Sequence, residues 1–134
     1  MKRSNSRAPR SRAPGRERGS AAVEFALVAP LLLSLVVGIV ELSYTYNLQI
    51  SVTQAAREAA RTMAVKNNQS DAIAAALAGA PGLSAAGFTY SFTPTACAEG
   101  RTATVNVTYT ANTLTNFLGS RVTLRGTGAM RCGG

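Results

Sequence analysis

Residues 26–40, AlaLeuValAlaProLeuLeuLeuSerLeuValValGlyIleVal, contain no charged side chain, and no other stretch limits the folded chain so tightly. A helix from Ser20 to Val40 would be about 31 Å long at 1.5 Å per residue, close to the roughly 30 Å hydrocarbon core of a bilayer. Hiding such a run inside protein would take a large surrounding core. The chain has 134 residues, room for one small domain, and this helix with the segment before it uses much of that room. The expected solution is a transmembrane helix over residues 20–42 with a small domain outside the membrane.

Glu24 sits just inside that helix. An unpaired carboxylate costs about 2.5–3.5 kcal/mol near the bilayer centre and less toward an interface. No Lys or Arg lies within the span to pair with it. Candidate partners are the basic segment before the span, lipid headgroups, or a positive group on another molecule. Cleavage between Gly19 and Ser20 would create one such group, a new α-amino terminus at Ser20 in every copy.

In Arg18-Gly19-Ser20-Ala21-Ala22-Val23-Glu24-Phe25, a basic leader ends at glycine, and Glu-Phe follows four small or apolar residues. This resembles the prepilin-peptidase site of Flp (type IVb) pilins and TadE-like pseudopilins. The wider run at 18–33, ArgGlySerAlaAlaValGluPheAlaLeuValAlaProLeuLeuLeu, together with GlnAlaAlaArgGluAlaAlaArg at 54–61, is similar to TadE itself; the likeness covers roughly the first half of the chain. The resemblance implies a minor pilin made as a precursor and cut after Gly19 by a prepilin peptidase, with Glu24 and Phe25 serving assembly. Its implied partners are other pilins or pseudopilins and the assembly platform of a Tad/Flp adhesive pilus. A TadG-like relative would carry a much larger exterior domain, whereas a TadF-like role stays open.

The formal charge of +8 points at first to nucleic acid, but its distribution argues otherwise. Lys2, Arg3, Arg7, Arg10, Arg12, Arg16 and Arg18 precede Gly19 against one acid, Glu17, so the basic character belongs mostly to residues 1–19. That segment, with Pro9, Pro14, several serines and almost no apolar content, reads as disordered until bound. Lys and Arg ahead of an apolar span favour keeping that end in the cytoplasm. The remainder would then be periplasmic or otherwise outside a bacterial inner membrane. A secretory signal peptide is the rival reading, but Val40 is followed by Glu41-Leu42-Ser43-Tyr44, a poor Ala-x-Ala-like cleavage site.

Beyond the span, Leu48, Val52, Ala55, Ala56, Ala59, Ala60, Met63 and Ala64 recur with the period of an amphipathic helix. The spacing predicts one helix from about Ser20 to Val65, roughly 69 Å long, whose exterior part covers residues 43–66. Its small side chains would let neighbouring helices, or its own domain, approach closely. Glu58 and Arg61 form an i,i+3 pair on the other face. Pro30 removes one helical hydrogen bond and favours a kink. Tyr44 and Tyr46 fall where an interfacial aromatic belt would lie, and Glu41 beside them reads as solvated.

Residues 67–134 read as a small α+β domain. Lys66-Asn67-Asn68-Gln69 marks a helix end, Ser70 caps a short helix, and Gly79-Ala80-Pro81-Gly82 stops it. Alternation at 88–92 and 102–110, with a third strand near 121–130 broken by Gly126 and Gly128, predicts three antiparallel strands laid on the outer helix. Leu114–Leu118 fits either a short helical turn or a membrane-proximal loop. Cys97 and Cys132, the two cysteines of the chain, most simply pair in an oxidising exterior. Their loop of about 35 residues would contribute about 3–4 kcal/mol on a chain-entropy basis.

Nothing in the sequence gathers reactive groups. With no histidine, Ser-His-Asp and Cys-His arrangements are excluded, and two cysteines alone fall short of a zinc set. The acids beyond the leader, Glu24, Glu41, Glu58, Asp71 and Glu99, are scattered singly. Gly126-Thr127-Gly128 lacks the third glycine and helix start that phosphate binding needs, and reads as a bulge or turn. No enzyme activity, cofactor, metal, nucleic acid or small-molecule substrate is therefore expected. The alternative to a pseudopilin is an uncleaved single-pass scaffold or tether with a basic cytoplasmic tail, whose phosphate binding would fall steeply with salt. It leaves Glu24 unexplained.

Overall fold

The computed structural model describes residues 15–116 and 119–133, with side chains from Gly19 onward. Residues 1–14 of the expected leader, together with Phe117 and Leu118, lie outside the described residues. Helix α1 runs Gly15–Lys66 with Pro30 inside it, so it begins ahead of the expected Ser20 and residues 15–18 are helical rather than disordered. Arg16, Glu17 and Arg18 are good helix formers. Extending an existing helix by a turn avoids the cost of nucleating a new one.

The chain divides into two compact units at Val36 and Val37, within α1. In the first unit, α1 exposes its large apolar side chains, Leu27 at 73%, Leu31 at 67% and Leu33 at 66% among them. By length and composition, α1 from Gly19 onward is long and apolar enough to cross a membrane.

The second unit is α+β. After α1 come helix α2 (Gln69–Ala78), a 3-10 turn (Ala85–Gly87), and strands β1 (Phe88–Thr93), β2 (Thr102–Asn112) and β3 (Arg121–Arg131). The strands form one antiparallel sheet in the order β1-β2-β3. Every residue of the α1 stripe from Leu48 to Ala64 that sequence periodicity marks is buried. The facing residues are Ala103, Val105, Val107, Tyr109 and Ala111 of β2, with Leu124 of β3 and Ala72 and Ala76 of α2. Between the two possible uses of the outer alanines, packing on the chain's own domain is the one observed.

Gly126 and Gly128 do not break β3. They pair opposite Val107 and Val105 in an uninterrupted register, which corrects both the expected break and the bulge or turn. A Cβ at Gly126 would lie 2.6 Å from the Val52 carbonyl oxygen, and one at Gly128 would collide with the Ala56 carbonyl. The glycines let the sheet backbone touch the helix backbone, with alanines answering from the helix side.

Asn67 ends α1 in the left-handed region, at φ 51, where Asn is tolerated better than most residues. The cap of α2 is Asn68 rather than Ser70: its side chain accepts hydrogen bonds from the N–H groups of Ser70 and Asp71. Cys97 and Cys132 form a disulfide with Cα atoms 5.6 Å apart. Asn67 fastens this end of the domain, since its side chain both donates to the Cys97 carbonyl and accepts from the Cys97 N–H. Gln69 donates to the Thr95 carbonyl at 2.7 Å.

Candidate processing and assembly site

Gly19, Ser20, Glu24 and Phe25 all lie on the first turns of α1 and all are exposed, Phe25 at 74%. Ser20 and Glu24 are four residues apart and so share one helix face, about 6 Å apart along the axis. Among the described residues Glu24 has no ion-pair partner; the ion pair found is Lys66–Asp71 at 3.2 Å, not the Glu58–Arg61 pair that spacing suggests.

Gly19 is not required by packing. A Cβ there would meet nothing within 4 Å, and its backbone is not left-handed. Glycine inside a helix is about 1 kcal/mol less favourable than alanine, so at this position it weakens the fold with no packing return. That contrasts with Gly126 and Gly128, where contact geometry demands glycine.

Glu41 is the residue that sequence reasoning missed. Expected to be solvated, it is 1% exposed. Its Oε1 accepts from the Leu114 N–H at 2.9 Å, and its Oε2 accepts from the Thr115 N–H at 3.0 Å and the Thr115 hydroxyl at 2.8 Å. A carboxylate accepts only, and these donors take up much of its capacity. The segment after β2 is thereby tied to α1. Leu114–Asn116 form a bend, so among the described residues the loop reading holds rather than the helical turn. The signal was present: Glu41, Leu48, Val52 and Ala55 follow i, i+7, i+11, i+14, placing the acid on the buried stripe.

Tyr46 is 71% exposed, as a belt residue would be, but Tyr44 packs against the core. Among the described residues no group of three or more His, Cys, Asp or Glu side chains gathers. The acids serve separate local contacts: Asp71 pairs with Lys66, and Glu41 holds the loop.

These features define a class: an α+β protein whose first helix can cross a membrane and whose glycine, serine, glutamate and phenylalanine lie free on its opening turns. Residues 19–61 match the family model for TadE-like protein, so that stretch, from Gly19 through Ala60 of the buried stripe, is similar to the TadE-like family. No curated protein and no solved structure matches it.

Proposed function

We propose that this chain is a TadE-like minor pilin or pseudopilin, cut between Gly19 and Ser20 by a prepilin peptidase and used in assembling a Tad/Flp adhesive pilus. The observation that carries the reading is Gly19: a helix-weakening glycine with open space around its Cα, at the first residue of the TadE-like match. Peptide bonds inside a helix are shielded by their hydrogen bonds, so cleavage requires local unwinding. A glycine at the scissile bond lowers that barrier by about 1 kcal/mol relative to alanine.

In this reading residues 1–19 are a leader held in the cytoplasm and residues 20–42 span the inner membrane. Residues 43–66 continue the helix outside, and residues 67–134 form the periplasmic domain. The Ser20 amine of one subunit neutralises Glu24 of its neighbour as the helices dock among other pilins at the assembly platform. Pairing in low dielectric favours one register; it does not by itself imply net stability. Phe25, exposed beside Glu24, is free to pack on the same neighbour.

Glu24→Gln tests the assembly step. It is expected to leave membrane insertion intact and to reduce pilus output sharply, read as surface pili per cell beside membrane-fraction protein. Wild-type pilus numbers from that variant would remove Glu24 from the mechanism.

A further inference from the structure

Glu41 ties an exposed leucine of the second unit to the exposed apolar residues beside it on α1. On α1, Ile39, Val40 and Leu42 are more than half exposed. In the loop after β2, Leu114 is 55% exposed while its N–H is held by Glu41. The loop backbone therefore sits level with the residue that follows Val40, where the apolar run ends. Thr113 closes the same loop by donating its N–H to the Ser120 carbonyl at 3.3 Å, and the neighbouring pair Asn112 and Arg121 places an exposed cation at the base of β3.

An exposed leucine tied to the residue that follows an apolar run, in a loop with an exposed arginine at its far end, has the makeup of a membrane-interface contact. We infer that residues 113–116, positioned by Glu41, rest on the bilayer surface, with Leu114 entering the boundary between headgroups and acyl chains and Arg121 facing lipid phosphates. Continuity identifies the occupant: residues 37–40 of the same unit are the end of the apolar run, so a span that reaches Val40 brings lipid to the level of the loop. Glu41 would ordinarily oppose this, because an unsatisfied carboxylate resists leaving water. Here its oxygens already accept from Leu114 and Thr115, so seating the loop on lipid strips no bare carboxylate. The inference rests on residues 20–42 spanning the membrane, and the test separates the two claims.

The chain contains no tryptophan, so a single introduced indole reports its own depth. Full-length Leu31→Trp, Leu114→Trp and Ser91→Trp variants in nanodiscs would be compared with and without lipids brominated near the glycerol end of the acyl chain or near its methyl end. Leu114→Trp is expected to lose at least about half its emission to the shallow quencher and little to the deep one. Leu31→Trp is expected to be quenched by lipid, and Ser91→Trp, exposed in the middle of β1, by neither probe. Adding Glu41→Gln to Leu114→Trp should reduce the shallow quenching and leave Leu31→Trp unaffected; unchanged quenching would deny Glu41 its positioning role. An indole at 114 that remains unquenched while Leu31→Trp is quenched would overturn the inference and leave the span intact. So would a blue shift at 114 that needs no bromolipid contact and grows with protein concentration, which would assign the patch to a second copy. Loss of quenching at Leu31→Trp would overturn the span itself.

Discussion

Along α1 the usual relation between size and burial is inverted from one end to the other. In the first unit leucines and valines are exposed, whereas in the second unit alanines at 55, 56 and 59 have no exposed surface at all. Large apolar side chains left exposed among the described residues call for lipid or another subunit. Small ones let the sheet come close, most tightly where Gly126 and Gly128 of β3 meet the backbone of Val52 and Ala56. The contrast separates a half of the helix made for an environment from a half made for its own domain.

Gly128→Val attacks the contrast at its tightest point. The new side chain would collide with the Ala56 backbone, which no rotamer change relieves, so a loss of about 4 kcal/mol or more is expected. The readout is loss of cooperative unfolding of the outer domain in detergent, followed by circular dichroism. Leu31→Ala, which cuts an exposed isobutyl side chain back to a methyl, should leave that transition within about 0.5 kcal/mol of wild type, because Leu31 is exposed and is not one of the core residues. If the two variants behaved alike, the division of the helix would fail.

Removing the staple with the double substitution Cys97→Ser and Cys132→Ser should cost the outer domain about 2–4 kcal/mol, measured in denaturant, and leave membrane insertion unchanged. Glu41→Leu should cost about 1–3 kcal/mol by stranding the loop N–H groups. Hydrogen exchange would show the loss of protection at Leu114 and Thr115 before it appeared in β2.

The smallest effect concerns Tyr90, whose hydroxyl is buried without a hydrogen-bond partner among the described residues. Tyr90→Phe should change stability by less than about 1 kcal/mol, in the stabilising direction. Burial raises the Tyr90 phenol above its ordinary value, so the unfolded chain loses this proton first as pH rises. Stability from this group is complete below the unfolded tyrosine value near 10 and declines as pH climbs toward the raised folded value. Denaturant melts between neutral and strongly alkaline pH should show a smaller decline in Tyr90→Phe than in wild type.

The stripe from Leu48 to Ala64 was legible because helical period and small size coincide over several turns, and β2 because Thr-Ala-Thr-Val-Asn-Val alternates cleanly. Gly126 and Gly128 were misread because a single strand shows only that glycine weakens it; the reason for them lies across the sheet, in the backbone of Val52 and Ala56. Asn68 and Ser70 are both good capping residues, so composition could not choose between them. Helical spacing puts Glu41 on the buried stripe, but the donors that satisfy its carboxylate there, Leu114 and Thr115, lie far along the chain, where local patterning does not reveal them. For the processing motif the sequence was richer than the fold, since exposure of Gly19, Ser20, Glu24 and Phe25 says that they are available and leaves their use to chemistry on another molecule.

Cleavage at Gly19 can be read directly by intact and N-terminal peptide mass spectrometry on protein from its own membranes, with and without the resident prepilin peptidase. The expected result is a mature chain beginning at Ser20 that gives way to the full-length precursor when the peptidase is absent. A chain that keeps its basic leader with the peptidase present would remove the Ser20 amine from the assembly mechanism and leave an uncleaved single-pass scaffold in its place.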